Sequence, residues 1–327
     1  MVFFLLLKLL PVDGQQYHYS QYFSSPLQMN PAITGYFSEG IRFSSVYRNQ
    51  WSVGGNPFKT YSASIENRLF PNSQANKLGV GLVLVSDQSN NNAFSVNAAA
   101  FSTAFNIALT EDGSIELGAG LQAQLNQRKI DPFRLTFASQ FQNGGFNTSI
   151  MTPEMLKAST IMYMSFNGGL LLNLKSDIDN SLYLGVSVYN LNSPQTNIMD
   201  QVFNEPVRLN LQAGGKMILN DHTLIQLSSN ASFQNGSSEV LIGGVGSFVF
   251  GDVIESKKIM MGSWYRVSDA IIPYFGLQWG GYLLGFSYDI IVSKLKEASG
   301  IRNSFEMSFS YTNSKNRKNG GMPCFVF

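Results

Sequence analysis

Alternation with a period of two runs through this chain almost from end to end. In SIELGAGLQAQLNQ, Ile115, Leu117, Ala119, Leu121, Ala123 and Leu125 fall on one face of a strand. Glu116, Gly118, Gly120, Gln122, Gln124 and Asn126 fall on the other. In PVRLNLQA, Val207, Leu209, Leu211 and Ala213 oppose Arg208, Asn210 and Gln212, and in SFEMSFSY, Phe305, Met307, Phe309 and Tyr311 oppose Glu306, Ser308 and Ser310. A helical period is weak and confined to TPEMLKAS (152–159), read as one or two turns within a loop. Fourteen strands are expected, at about 41–50, 59–69, 77–87, 93–108, 114–128, 160–174, 181–191, 206–219, 223–234, 238–250, 257–267, 270–279, 281–293 and 303–312.

Alternation alone does not say what each face meets; composition does. Charged residues are 13% of the chain, aromatics are also 13%, and the formal net charge is +1. That is about half the usual share of charge, too little to cover a soluble protein of this size. Apolar residues facing lipid and neutral polar residues facing a lumen account for both numbers. Several of the strands are about ten residues or longer, enough to cross the hydrocarbon when tilted. The fold class is therefore all-β, a transmembrane antiparallel β-barrel of about 14 strands. An even count places both the N- and C-termini in the periplasm. No basic stripe is present to neutralise phosphates, so nucleic acid is not an expected partner.

Loop lengths agree with that orientation. With strand one rising from the periplasm, the inner connections centre on PNSQAN, TEDG, KSDIDN, LNDH, FGDVIE and WGG, all short. The two longest connections, at about 129–159 and 192–205, both fall on the outer side, the asymmetry expected of such barrels.

The chain divides into a signal peptide (1–15), a periplasmic N-terminal segment able to act as a plug (16–40), the barrel (41–312) and a periplasmic tail (313–327). The apolar run Val2–Leu10 has the length of a signal core and is too short to span a bilayer, and Gly14 marks a cleavage region. Lumen-facing Arg42, Glu66, Glu116, Arg208, Asp289 and Glu306 either line a pore or pair to brace a filled barrel. Trp51, Trp264, Tyr265, Trp279 and Tyr282 read as interfacial girdle residues near strand ends.

Catalytic and metal chemistry find no footing. His18 and His222 are the only histidines and Cys324 the only cysteine, so no metal site, internal disulfide or nucleophile–base pair is expected, and no cofactor. Glu111 and Asp112, and likewise Asp177 and Asp179, read as turn formers. GGVGSF (243–248) lies in a strand pattern without a following helix, which excludes a phosphate loop.

HYSQYFSSPLQMNPAITG (18–35), YRNQW (47–51), TYSASIE (60–66), GLQAQLNQRKID (120–131), YLGVSVYNLNSP (183–194), WYRVSDAIIPYFG (264–276) and GFSYDIIVSKL (285–295) occur in an order and setting that resemble the PorP/SprF family of type IX secretion outer-membrane proteins. The ending MPCFVF is similar to the family's Cys-Pro-x-Phe with Pro and Cys transposed. The resemblance implies a barrel accessory to type IX secretion, in the outer membrane. Its implied partners are lipid, other secretion components and the C-terminal domain of a secreted adhesin, in export, surface attachment or gliding motility. The alternative function is a pore for a small solute.

Two regions are expected to carry binding. In the N-terminal segment, Pro26 and Pro31 are expected to keep the chain extended and Asn30 with Pro31 to turn it into strand one. Tyr19, Tyr22 and Phe23, with Pro26, Asn30 and Pro31, then either pack into the periplasmic mouth or dock on a periplasmic partner. In the outer loops, Pro132, Phe133, Phe137 and Pro153 either hold a secreted partner or cap the mouth.

Overall fold

The computed structural model describes residues 18–37, 40–51, 56–69, 76–142, 144–152, 159–176, 180–198, 201–250, 257–293 and 303–313. The expected signal peptide, the core of the 152–159 turn with Pro153, the acidic pair Asp177 and Asp179, and Cys324 lie outside the described residues.

The alternating segments form one closed antiparallel barrel of 14 strands. They are β1 (Ile41–Gln50), β2 (Phe58–Leu69), β3 (Asn76–Ser89), β4 (Phe94–Ala108), β5 (Ile115–Ile130), β8 (Ser159–Lys175), β9 (Ser181–Tyr189), β12 (Arg208–Asn220), β13 (Thr223–Gln234), β14 (Ser237–Phe250), β15 (Lys257–Arg266), β16 (Ala270–Trp279), β17 (Tyr282–Ile291) and β18 (Ser304–Asn313). Each pairs with its neighbour in sequence, and β1 closes on β18 from Ile41 against Asn313 to Gln50 against Ser304. Two short hairpins stand outside the barrel sheet: β6 (Phe141–Gln142) with β7 (Gly145–Phe146), and β10 (Gln195–Ile198) with β11 (Gln201–Asn204). β1 begins and β18 ends at one rim, here the terminal rim. The chain's long connections and both hairpins lie at the other, the loop rim.

The strand ends differ from expectation where local chemistry intervenes. β9 stops at Tyr189 because Asn190 takes a left-handed φ of 57°. β12 starts at Arg208, after Pro206, which has no N–H for the ladder.

The barrel is inside-out relative to a soluble protein. Leu82, Leu84, Phe101, Leu121, Leu170, Leu184 and Leu227 are exposed on its outer wall. Ser62, Ser102, Gln122, Asn126, Asn167, Gln212 and Ser228 are buried on its inner wall. Burial of so many polar wall residues requires that something polar fill the lumen.

One girdle assignment is corrected. Tyr265, Trp279 and Tyr282 are 43%, 40% and 41% exposed on the outer face, but Trp264 is only 2% exposed and points inward. Its neighbour Tyr265 takes the outward position by alternation. Across the ladder from Trp264 sits Gly243, where a Cβ would lie 2.6 Å from the indole Cγ. A glycine of GGVGSF thus makes room for an inward tryptophan.

Candidate functional site

The lumen is filled by the chain's own residues 18–37, and this segment contradicts the extended conformation expected of it. Pro26 opens a single helical turn, α1 (Pro26–Met29), and Pro31 opens a 3-10 turn at Pro31–Ile33. Both prolines occupy the first helical position, where a missing N–H costs nothing and the fixed φ suits the turn. Asn30 lies between them and caps the second turn, its Oδ1 accepting from Ala32 N at 2.9 Å. Asn30 and Pro31 therefore do not turn the chain into β1; the backbone reverses further on, at Thr34 and at Gly35 with φ 68°.

Nor is the segment confined to the terminal mouth. It enters at the loop rim and descends the whole lumen before joining β1. At the loop rim, Ser20 N and Gln21 N donate to the two carboxylate oxygens of Glu306, each at 2.8 Å. Ser20 Oγ donates to Asp289 Oδ1 at 2.7 Å and accepts from Arg48 Nη1 at 2.6 Å and Arg266 Nη2 at 2.8 Å. Arg48 also donates to Glu306 and Asp289, at 3.0 and 2.9 Å. Two guanidinium groups and two carboxylates thus close around one serine, each charge paired and hydrogen-bonded, as burial requires.

Deeper in the lumen the contacts become apolar and then amide-based. Tyr22 OH bonds Ser228 at 2.6 Å. The Phe23 ring lies 4.8 Å from Trp264 and 5.4 Å from Tyr274. The main-chain carbonyls of Leu27 and Met29, freed by the short turns, accept from Gln122 and Gln212, both at 3.0 Å. Asn30 Nδ2 donates to the Leu170 carbonyl at 3.0 Å and to Gln212 at 3.1 Å. Wall glycines let the backbone approach: a Cβ on Gly120 would lie 2.3 Å from the Pro31 carbonyl carbon, and one on Gly79 2.0 Å from Thr34 O. At the terminal rim, Tyr36 OH bonds Glu116, which also receives Lys77 and Lys175, and Gly35 N donates to Glu66, itself paired with Arg42 at 2.9 Å.

Of the residues singled out from sequence, Tyr19, Tyr22, Phe23, Pro26, Asn30 and Pro31 are all buried within the lumen. Arg42, Glu66, Glu116, Asp289 and Glu306 are paired inside the barrel, while Arg208 lies over the Tyr189 ring at 4.4 Å. Ser20, Arg48 and Arg266 were not singled out. The only available signal was alternation, which puts Arg48 and Arg266 on the inward face of YRNQW and WYRVSD.

The loop rim carries a cleft of about 340 Å³ beside the start of the lumenal segment, lined by His18, Trp51, Glu239, Arg266, Asp269 and Asp289 among others. In the 131–152 connection, Pro132 opens a 3-10 turn and is buried, Phe133 is exposed, and Phe137 is half-buried. The organiser of that connection is Gln140, which accepts from Phe137 N at 3.0 Å and donates to the Ile150 carbonyl at 2.9 Å.

Comparison with known proteins places this architecture. The fold is similar to the toluene transporter TbuX of Ralstonia pickettii, with 11% identity, a TM-score of 0.54, and 89% of this chain and 94% of that one covered. It is similar also to the toluene transporter TodX of Pseudomonas putida, with 12% identity, a TM-score of 0.54, and coverage of 90% and 94%. A FadL homologue of Pseudomonas aeruginosa matches with 10% identity, a TM-score of 0.50, and coverage of 86% and 92%. At such identities the likeness concerns the fold, that of an outer-membrane barrel. No curated protein matches in sequence. The model of the family "Type IX secretion system membrane protein PorP/SprF" matches residues 12–311, nearly the whole chain. The chain is a multi-pass β-barrel of the outer membrane and a type IX secretion component whose partners include other parts of that system: it belongs to the PorP/SprF family.

Proposed function

We propose that this barrel works without catalysis, as a closed platform that holds protein partners at its loop rim. The rim faces outward, and the terminal rim faces the periplasm. Residues 1–15 are removed as a signal peptide, 16–40 form the lumenal segment and 313–327 a periplasmic tail. The partner at the outer rim is the C-terminal domain of a secreted surface adhesin, held for export or attachment, in gliding motility among other uses. One observation carries this reading: residues 18–37 fill the lumen from rim to rim, leaving the loop rim as the surface on which to act. Pro132, Phe133, Phe137 and Pro153 belong to the connection that shapes it.

The test is recovery of a secreted adhesin and of secretion components from membranes, with the full chain and with residues 133–151 replaced by a short Gly/Ser linker. Loss of the adhesin with retention of the periplasmic components supports the reading; equal recovery of both refutes the loop assignment. The second reading is a solute pore. It draws on the rim cleft and on the transporter fold. A steady, solute-selective conductance of the full chain in a planar bilayer would favour it over the platform.

A further inference from the structure

The lumenal segment is not bonded to the wall equally on all sides. Its direct hydrogen bonds run to β17 and β18 through Ser20 and Gln21, to β2 through Gln28, and to β5 and β12 through the Leu27 and Met29 carbonyls. Toward the loop-rim ends of β12 and β13, a chamber of about 60 Å³ lies between segment and wall. Gln28 and His18 line it from the segment; Arg208, Asn210, Asn230 and Glu239 line it from the wall.

Four buried polar atoms of that lining have no hydrogen-bond partner among the described residues. They are Oε1 of Gln28, Nε of Arg208, Oδ1 of Asn210 and Oδ1 of Asn230. Asn210 and Asn230 are only 5% and 8% exposed, on adjacent inward rungs of the β12–β13 ladder. Other lumenal amides are fully engaged. Asn167 Nδ2 donates to Gln122 and Gln124 at 2.8 and 3.2 Å, and its Oδ1 accepts from Asn190 N at 3.0 Å. Four orphans around one small space are therefore a local feature, and buried polar groups require partners.

Size and charge decide what can supply them. Pockets for organic ligands run from about 300 Å³ upward, whereas one water needs about 10–15 Å³. The chamber therefore suits about four waters. The full charges of the lining are engaged elsewhere: Arg208 lies over the Tyr189 ring at 4.4 Å, and Glu239 receives Arg266 at 3.3 Å. A cation would suit the three amide oxygens and meet the Arg208 donor; an anion would do the reverse. Water donates and accepts, so it suits all four. The loop-rim cleft of about 340 Å³ is lined by the same His18 and Glu239, which stand 3.7 Å apart where the two cavities meet.

We propose that the chamber binds a cluster of about four ordered waters, which bridge Gln28 of the segment to Arg208, Asn210 and Asn230 of the wall and exchange with the loop-rim cleft past His18 and Glu239. At this height the segment is seated directly on the β17–β18 side and through water on the β12–β13 side. The cluster does not depend on which partner the rim holds.

The test is water-to-protein magnetisation transfer by NMR on the full wild-type chain in micelles. Cross-peaks with the sign of long-lived water are expected at the Arg208 Nε–H and at the Asn210 and Asn230 side-chain amides, with none at Asn167. Their absence at all three, or equal intensity at Asn167, would overturn the proposal. Cysteine labelling tests the exchange path, in a Cys324→Ser background and with each variant checked for wild-type heat-modifiable migration. Ser25 lines the chamber and Ser165 does not, and both are buried. Methyl methanethiosulfonate should modify Ser25→Cys at least about tenfold faster than Ser165→Cys, which must wait for local opening. Ser232→Cys, on the wall side of the chamber, should react as fast as Ser25→Cys. Equal rates at all three positions would overturn the exchange path and the proposal with it.

Discussion

Phe23 and Trp264 pack ring to ring at 4.8 Å, one from the lumenal segment and one from the wall, and Tyr274 closes edge-on against both. This cluster belongs to the buried apolar core that the segment shares with the barrel wall. Phe23→Ala should cost about 3–5 kcal/mol, the usual range for deleting a buried aromatic. The Trp264 emission should shift to the red as water reaches the indole. An unshifted spectrum with unchanged thermal stability would mean that the segment is not seated as described.

The inward position of Trp264 separates it from Trp279, which lies on the outer wall. Reconstitution of single-tryptophan variants in brominated lipid should quench Trp279 strongly and Trp264 hardly at all. Equal quenching would place both indoles against lipid.

Arg48 is buried between Asp289 and Glu306. Arg48→Met leaves Glu306 without its counter-charge in a closed lumen and Asp289 with Arg266 alone. A loss of about 3–5 kcal/mol is expected, because the penalty falls on the stranded Glu306 carboxylate. The gel-shift midpoint on heating measures it. The double variant Arg48→Met with Glu306→Gln should recover part of the loss, and failure to do so would mean that the pair is not coupled.

Gly120 has no room for a side chain, since Pro31 and Ala32 press against it. Gly120→Val should force the segment out of its seat while the outer face of β5 stays unchanged. The readouts are protease cleavage within residues 18–37 and a rise from near-zero to steady conductance in a planar bilayer. A closed, protease-resistant variant would contradict the close approach.

Asp112 sits in the β4–β5 turn at the terminal rim, where hydrogen bonds from Thr110 and then Ser114 hold its carboxyl down at about 2, from an ordinary value of 3.8. Because the folded value is the lower one, the turn's stabilisation is complete above pH 3.8 and is lost as pH falls toward 2. Titration of the Asp112 carboxyl by NMR should give the depressed value, and Ser114→Ala should raise it. An Asp112 titrating near 3.8 in the wild type would refute the turn geometry.

Much of the barrel was legible in sequence because alternation is a short-range signal. Leu117 out and Glu116 in follow from neighbouring residues alone, and the fourteen strands were found on that basis. The contents of the lumen were harder to read. Tyr22 and Phe23 marked the segment as apolar enough to dock, but its depth depends on partners such as Glu306, far away in sequence. Pro26 and Pro31 were misread for a related reason. A proline forbids helix at its own interior positions but favours the first turn, and only the carbonyl partners Gln122 and Gln212 decide between the two. Trp264 misled because alternation two residues from a strand end does not itself say which face is wet.

The pairing of Arg48 also bears on how the molecule is made. Its counter-charges are Asp289 on β17 and Glu306 on β18, among the last strands to be synthesised, while Arg48 itself is on the first. Until those strands arrive, the guanidinium has no partner inside the wall, and Ser20 has no cluster to enter. The segment precedes β1 in the chain, yet its first described residues bond to the strands made last. Closure of the β1–β18 seam and seating of Ser20 in the ion cluster therefore both wait for the last strands. A chain cut short before β17 has no way to reach the closed state, and the ion cluster at the loop rim serves as a mark that the barrel is complete.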